Sequence, residues 1–218
     1  MDLQINENLV EVIENESDID GLSFIPQIKS QKEYPPFIND ADEFPFYKRC
    51  SAEVSSQDYY LVSLITKDYM TDGVMEIGIS RNGEGSFTKA ILNNKPDHIP
   101  YLGVDIDDKT YLNNESKKIF TIKENSFNQK IVRNYADKIG LKKVSVLFID
   151  GWHSLNAVIN DWKYSDMLSD NGIVIFHDTN YHPGPTVLIE AIDKTKYRVE
   201  KHFANDTDDY GVSIAYKI

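Results

Sequence analysis

The sequence predicts an α/β fold, a doubly wound and mostly parallel sheet, and three observations support this prediction. Two short runs rich in Val, Ile and Phe, 144–149 and 173–176, are typical of strands buried on both faces of a parallel sheet. The helix-like segment between them, 155–168, completes a right-handed strand–helix–strand unit. The length of 218 residues is sufficient for one domain with a complete core.

Local patterns predict the other elements. Ser55 is the expected N-cap of a first helix, and Gly140 is the expected end of a later one. Further strands are predicted at 74–78, 101–105, 118–123, 197–203 and 212–218, and further helices at 87–93, 127–139 and 187–192. Because only a short acidic loop joins the last two strands, we expect an antiparallel hairpin at the edge of the sheet.

The chain divides into an N-terminal extension, 1–54, and a main domain, 55–218. Four prolines between positions 26 and 45 predict an extended or loop-like path for much of the extension. Its aromatic residues lack periodicity, which favours packing on the edge of the domain. A lid over a ligand crevice is the alternative interpretation.

The composition excludes several classes of partner. A formal net charge of −12 argues against binding to nucleic-acid phosphates. No apolar run reaches the roughly 20 residues that span a bilayer, and the acidic N-terminus lacks the pattern of a secretion signal. The single cysteine, Cys50, fits a reducing cytoplasm. We therefore expect a cytoplasmic protein with neither a nucleic-acid nor a membrane partner; a homo-oligomer stays open.

Polar clusters follow both central strands. Since the carboxyl ends of parallel strands meet at one edge of the sheet, these clusters should face a common crevice. The side chains concerned are Asp150, His153, His177 and Asp178. Carboxylates suit a hard divalent cation, and an imidazole can move a proton near neutral pH. The pattern therefore predicts a site that holds a metal and performs acid–base chemistry.

A second candidate site follows the first two strands. Glu76 and Gly78 end the first strand, a glycine-containing turn at 80–86 comes next, and Asp105 ends the second strand. Glycine permits close approach of the backbone to a ligand, and the N-terminus of a helix offers free N–H groups. A carboxylate at Asp105 can accept the hydroxyl groups of a ribose. The strict G-x-G-x-x-G and P-loop patterns are absent.

Together these motifs resemble class I S-adenosylmethionine-dependent methyltransferases, and more narrowly the metal-dependent small-molecule O-methyltransferases of the macrocin and cephalosporin-pathway group. The resemblance covers about 55–192 and is carried by 75–78, 103–105, 148–154 and 176–178. It implies a Rossmann-like sheet of seven strands with an antiparallel C-terminal strand. It also implies S-adenosylmethionine as cofactor, a divalent metal with Mg²⁺ expected, and methyl transfer to a hydroxyl of a small molecule such as a sugar or natural product.

The resemblance also implies roles for individual residues. The implied cofactor-binding residues are Glu76, Gly78, Ser80, Asp105, Asn125, Ser126 and Asp150. His153 is the implied general base, and Asp150 is implied to act beside it in catalysis. Asp150 and Asp178 are the implied metal ligands, and His177 or Thr179 is the implied neighbouring ligand. These roles are chemically sound, because a bound divalent ion lowers the pKa of a hydroxyl and His has an ordinary pKa of about 6.5.

Alternatives remain at this stage. A metal-independent N-methyltransferase could use His153 alone, and an inactive module could bind the cofactor or a partner through the same edge. An NAD-linked dehydrogenase is disfavoured because the glycine fingerprint is missing. Within the site, His153 could instead cap the following helix, and His177 could be a hydrogen-bonded structural histidine.

Overall fold

One sheet of seven strands lies at the centre of the computed structural model, which describes residues 18–26, 54–80, 86–180, 182–204 and 209–218. Its strands are β1 Val74–Ile77, β2 Tyr101–Asp105, β3 Ile119–Lys123, β4 Val144–Ile149, β5 Leu168–Phe176, β6 Tyr197–His202 and β7 Val212–Lys217. Their order is β3-β2-β1-β4-β5-β7-β6. Strands β1 to β5 are parallel, and β7 pairs antiparallel with both β5 and β6. The predicted fold class is confirmed.

Helices cover both faces of this sheet. They are α1 Ser56–Tyr69, α2 Phe87–Asn94, α3 Gln129–Lys138, α4 Leu155–Trp162 and α5 Pro183–Ala191. Alternate residues of β4 point to opposite faces, as the two-residue period of a strand requires. Val146 and Phe148 pack with the apolar residues of α1 and α2, whereas Leu147 and Ile149 pack with those of α3, α4 and α5. The sheet is therefore doubly wound, and its central strands are buried on both sides.

The predicted antiparallel hairpin at the edge of the sheet is confirmed. Strand β7 lies between β5 and β6, so β6 is the outermost strand. The burial of the two strands follows this order. Val212 and Ile214 of β7 are completely buried, whereas most of β6 is partly exposed.

The boundaries of two helices differ from the prediction. Helix α5 begins at Pro183 rather than at residue 187. Proline at the first position of a helix is favourable, because its missing N–H would have no partner there. The segment predicted as a helix at 155–168 is α4 followed by a 3-10 turn, Lys163–Met167, and β5 already begins at Leu168.

The described part of the N-terminal extension packs against the main domain. The indole Nε1 of Trp162 donates a hydrogen bond of 2.9 Å to the carbonyl oxygen of Asp20, and Leu22 forms an isolated β-bridge with Ile192. The hypothesis of a lid concerns the extension 1–54, of which residues 1–17 and 27–53 lie outside the described residues. None of the helices in the described ranges is both long and apolar enough to cross a membrane.

Candidate functional site

The four side chains predicted to share the sheet edge do lie together. His153 Nε2 is 2.6 Å from Asp178 Oδ2. His177 Nδ1 lies 3.1 Å from Asp150 Oδ1 and 3.3 Å from Asp178 Oδ2. Asp150 follows β4, His177 and Asp178 follow β5, and His153 precedes α4. The parallel strands therefore bring together residues that are distant in sequence.

Local backbone structure places these side chains. Ser154 is the N-cap of α4, and its hydroxyl accepts a hydrogen bond from the amide of Ala157 at 3.3 Å. His153 therefore does not cap the helix; its ring lies at the edge with 28% of the side chain exposed. Asp178 adopts the left-handed conformation, with φ of 59°. Aspartate adopts this conformation more readily than most other non-glycine residues.

Two glycines allow backbone segments to meet at this edge. Gly78 has a φ of +84°, and a Cβ atom there would lie 2.1 Å from the carbonyl oxygen of Asp150. A Cβ atom on Gly184 would lie 2.1 Å from the carbonyl oxygen of His153. The end of β1 and the first turn of α5 therefore contact the loop that carries Asp150 and His153, and neither contact leaves space for a side chain.

His182 also belongs to the site, although it was not among the predicted site residues. Its ring stacks on that of His153, with centroids 3.9 Å apart and planes 19° from parallel. Burial and the neighbouring charge of His153 lower the pKa of His182 to about 4. His182 is therefore neutral near pH 7 and forms one wall beside the exposed face of His153.

In this cluster, burial and the neighbouring charges shift the pKa values of the side chains in opposite directions. Burial alone would raise the pKa of Asp178, but the charges of His177 and His153 outweigh burial and hold it well below its usual range. Burial would lower the pKa values of His177 and His153, but Asp178 and Asp150 raise both, that of His177 strongly. For Asp150, burial dominates the attraction of His177, and the pKa is raised. Without a bound cation, charge pairing thus favours an ionised Asp178 beside protonated imidazoles; a divalent cation at this position would repel those protons.

Asp58 is a further acidic residue of the cluster. It lies in the first turn of α1, where the pattern Ser55-x-x-Asp58 would ordinarily predict only a cap. Ser55 Oγ does accept a hydrogen bond from the amide of Asp58. The carboxyl group of Asp58, however, is completely buried and lies 3.7 Å from His177 Nε2. Sequence reasoning missed this contact because the capping pattern gives the residue a sufficient local explanation.

Two overlapping sets of side chains could hold a divalent cation. The ligand atoms of Asp150, His177 and Asp178 lie within 4.8 Å of one another, and so do those of His153, Asp178 and His182. In the first set, His177 Nδ1 is 3.1 and 3.3 Å from the two carboxylate oxygens. Adjacent ligands of an octahedral ion with bonds of about 2.1 Å are separated by about 3 Å. The spacing of these donor atoms fits an ion with such bond lengths.

Residues predicted to bind the cofactor lie along the adjoining edge. Asp105 ends β2, and its Oδ2 accepts a hydrogen bond of 2.8 Å from the amide of Ile79. Its Oδ1 accepts one of 2.7 Å from the amide of Asp107. The amide of Ser80 donates to Thr88 Oγ1 at the start of α2. Because each carboxylate oxygen has two lone pairs, Asp105 keeps acceptor capacity for ligand hydroxyls.

Glu76 occupies an interior position rather than an open one. Its carboxyl group is buried and accepts hydrogen bonds from Thr88 Oγ1 at 2.6 Å and from the Tyr101 hydroxyl at 2.5 Å. Burial raises the pKa of Glu76 to about 8, against the hydrogen bonds from Thr88 and Tyr101. Glu76 therefore joins β1, β2 and α2, and its role in binding the cofactor remains a prediction.

The raised pKa of Glu76 predicts a loss of stability as the pH rises. The folded protein retains the proton from the ordinary pKa of 4.5 up to about 8. The stabilisation by the neutral form is therefore complete below pH 4.5 and is lost as the pH passes through 8. Urea unfolding between pH 5 and about 9 should show Glu76→Gln becoming more stable relative to wild type as the pH increases. A stability difference independent of pH would contradict an uncharged Glu76.

Asn125 and Ser126 follow β3, at the same edge as Asp105. Asn125 is exposed, and its Oδ1 accepts a hydrogen bond of 3.0 Å from the amide of Phe127. The carbonyl oxygen of Ser126 accepts a hydrogen bond from the Tyr164 hydroxyl, and its side chain bonds Asp161. Burial raises the pKa of Asp161 to about 7, against the hydrogen bonds from its neighbours. Sequence reasoning missed Asp161, whose only signal was an acid on the apolar face of α4.

Solved structures similar to this chain are methyltransferases. No protein-family model matches the sequence, and no curated protein does so. MycE methyltransferase of the mycinamycin biosynthetic pathway, in complex with Mg, SAH and mycinamycin VI, has a TM-score of 0.51 and 16% identity, covering 69% of this chain and 46% of MycE. The O-methyltransferase TomG from Streptomyces achromogenes, in complex with SAM, has a TM-score of 0.55 and 11% identity. The match covers 81% of this chain and 88% of TomG.

A third similar structure is a methyltransferase from Geobacter sulfurreducens, with a TM-score of 0.54 and 12% identity over 76% of this chain and 80% of that one. The chain spans about half the length of MycE. At such low identity the likeness concerns the fold, and this chain has the fold of these methyltransferases.

Proposed function

We propose that this chain transfers a methyl group from S-adenosylmethionine to a hydroxyl oxygen of a small molecule, with the assistance of a divalent cation. A sugar or another hydroxylated natural product is the proposed acceptor class. The observation that carries the proposal is the convergence of His153, Asp178, Asp150 and His177 at one sheet edge, beside the Gly78 turn and Asp105.

The adjoining edge supports the choice of cofactor. Asp105 ends the strand next to β1, where the remaining lone pairs of its carboxylate suit the two hydroxyls of a ribose. Gly78 lets the backbone after β1 approach a ligand without an intervening side chain. The likeness to TomG and MycE, whose structures hold SAM or SAH, favours the same ligand here.

His153 is suited to remove the proton of the acceptor hydroxyl. Its Nε2 faces Asp178 Oδ2 at 2.6 Å, which fixes the orientation of the ring and favours a proton on that nitrogen. The Nδ1 atom is then the one that accepts the hydroxyl proton. Asp178 also stabilises the imidazolium that forms, because it raises the pKa of His153. The deprotonated oxygen would then attack the methyl carbon of S-adenosylmethionine, whose carbon–sulfur bond would break to leave S-adenosylhomocysteine.

Asp150, His177 and Asp178 are the residues that would hold the cation. A bound divalent ion would lower the pKa of the acceptor hydroxyl and orient its oxygen. The stacked ring of His182 limits the access of water to His153 from one side. Acidic walls favour binding of S-adenosylmethionine because its sulfonium is positively charged.

Calorimetry tests the proposal. Wild type and Asp178→Ala are titrated with S-adenosylmethionine, and each is titrated separately with a divalent metal salt. Both proteins should bind the cofactor with dissociation constants within about threefold, whereas only wild type should bind the metal. Wild type that does not bind the cofactor would overturn the proposal. Methyl transfer that continues in the presence of a chelator would instead favour the metal-independent alternative.

A further inference from the structure

The ring of His177 has an environment that a structural histidine does not require. It is buried, with 4% of its side chain exposed, and Phe87 packs against it edge to face at 4.7 Å. Tyr210 lies on another side, with ring centroids 5.7 Å apart. These contacts hold the ring so that Nδ1 faces Asp150 and Asp178, at 3.1 and 3.3 Å.

Asp58 lies behind this ring. Its Oδ2 is 3.7 Å from His177 Nε2, and its side chain is completely inaccessible to solvent. Among the described residues, neither carboxyl oxygen of Asp58 accepts a hydrogen bond. Burial of a carboxyl group without hydrogen bonds costs free energy, so its presence calls for an explanation. The nearby Nε2 atom of His177 offers that explanation, because helix α1 brings Asp58 to the side of the ring opposite to Asp150 and Asp178.

A carboxyl group behind a histidine ring is typical of histidines that bind metals. A histidine that binds a metal through one nitrogen almost always gives the N–H of its other nitrogen to a carboxylate or carbonyl group. At 3.7 Å the Asp58 oxygen is beyond hydrogen-bond length from Nε2, but it is the carboxyl group that faces this nitrogen and so favours the hydrogen there. With a cation bound, the lone pair of Nδ1 is then directed toward Asp150 and Asp178. The resulting set of ligands contains one imidazole nitrogen and two carboxylates.

Such a set is not the one that magnesium prefers. Mg²⁺ is bound by oxygen atoms and keeps several waters, whereas imidazole nitrogen suits iron, cobalt, nickel and zinc. We propose that Asp150, His177 and Asp178 bind a divalent first-row transition metal through His177 Nδ1, and that Asp58 is the positioning residue that orients this imidazole. The inference rests on the proposed function for the use of the ion, but the binding site itself is testable without turnover.

The first test detects the nitrogen ligand directly. The metal-free full-length chain is loaded with Co²⁺, and its proton NMR spectrum is examined for a hyperfine-shifted imidazole N–H signal that disappears in D₂O. Wild type and His153→Gln should both show this signal, and His177→Glu should lack it. His98→Gln is the matched control, because His98 is exposed and precedes β2 at the opposite edge of the sheet. Cobalt binding without such a signal in wild type would overturn the inference.

The second test concerns Asp58 and remains informative if His177→Glu does not fold. Calorimetry should show that Asp58→Asn binds Co²⁺ about 10- to 100-fold more weakly than wild type. The affinity for Mg²⁺, which prefers oxygen ligands, should change by less than about threefold. Equal losses for both ions, or no loss for Co²⁺, would contradict a positioning role for Asp58.

These outcomes separate the inference from the proposed function. If cobalt binds only through carboxylates while the protein still binds S-adenosylmethionine and transfers its methyl group, the inference is wrong and the proposed function stands. If S-adenosylmethionine does not bind, the proposed function is wrong whichever ion occupies the site.

Discussion

Replacement of His153 by Gln is expected to lower kcat by about 100- to 10,000-fold, the usual contribution of a general base. Glutamine preserves a polar side chain beside Asp178 but cannot accept the proton of the acceptor hydroxyl. The dissociation constant of S-adenosylmethionine should stay within about threefold of the wild-type value, because His153 contacts Asp178 and His182 rather than Asp105 or the Gly78 turn. Methyl transfer to an acceptor that wild type methylates is the measurement.

The exposed His98 provides the control for this substitution. His98→Gln removes an imidazole from the opposite edge of the sheet and should leave kcat unchanged. A His153→Gln variant that retains more than about a tenth of wild-type kcat would show that another group accepts the proton. Loss of cofactor binding together with turnover would instead indicate that the variant has disturbed the edge as a whole.

Gly78→Ala is expected to reduce the free energy of unfolding by about 2–4 kcal/mol, the sum of a strained backbone and a steric overlap. Gly78 has a positive φ, and an added Cβ atom would lie 2.1 Å from the carbonyl oxygen of Asp150. Relief of this overlap would separate the end of β1 from the loop that carries Asp150 and His153. Weaker binding of S-adenosylmethionine should therefore accompany the loss of stability, and urea unfolding and calorimetry measure the two effects.

Gly140 offers a matched comparison for this prediction. It has a similar φ of +79°, but a Cβ atom there would meet nothing within 4 Å. Gly140→Ala should therefore cost only the backbone strain, about 1 kcal/mol, and should not affect cofactor binding. If both alanine variants lose the same stability, the contact between Gly78 and Asp150 has no structural importance.

Short-range patterns predicted the sheet and the main cluster of the site. Apart from Ser145, the runs 144–149 and 173–176 are apolar, as is typical of strands buried on both faces, and the sharp change to polar residues marked their carboxyl ends. Parallel pairing then required Asp150 and Asp178 to meet. These features depend on local composition and on one general rule of topology, so they could be read from the sequence.

Other members of the site depend on long-range packing and could not be predicted in this way. Asp58 belongs to a capping pattern and reaches His177 only because α1 packs over the ends of the central strands. Asp161 lies among apolar residues of α4, and Ser126, one of the partners of its carboxyl group, follows β3. His182 reaches His153 because α5 begins at Pro183, whereas the sequence predicted that this helix begins at residue 187.

The most direct test of the proposed site is a crystal structure of this chain with S-adenosylhomocysteine and Co²⁺, with anomalous diffraction recorded at the cobalt edge. The proposed chemistry predicts the adenosine beside Asp105, its sulfur near the Gly78 turn, and an anomalous peak between Asp150, His177 and Asp178. A ligand bound away from the carboxyl ends of β1, β2 and β4, or no anomalous peak within bonding distance of Asp178, would contradict it.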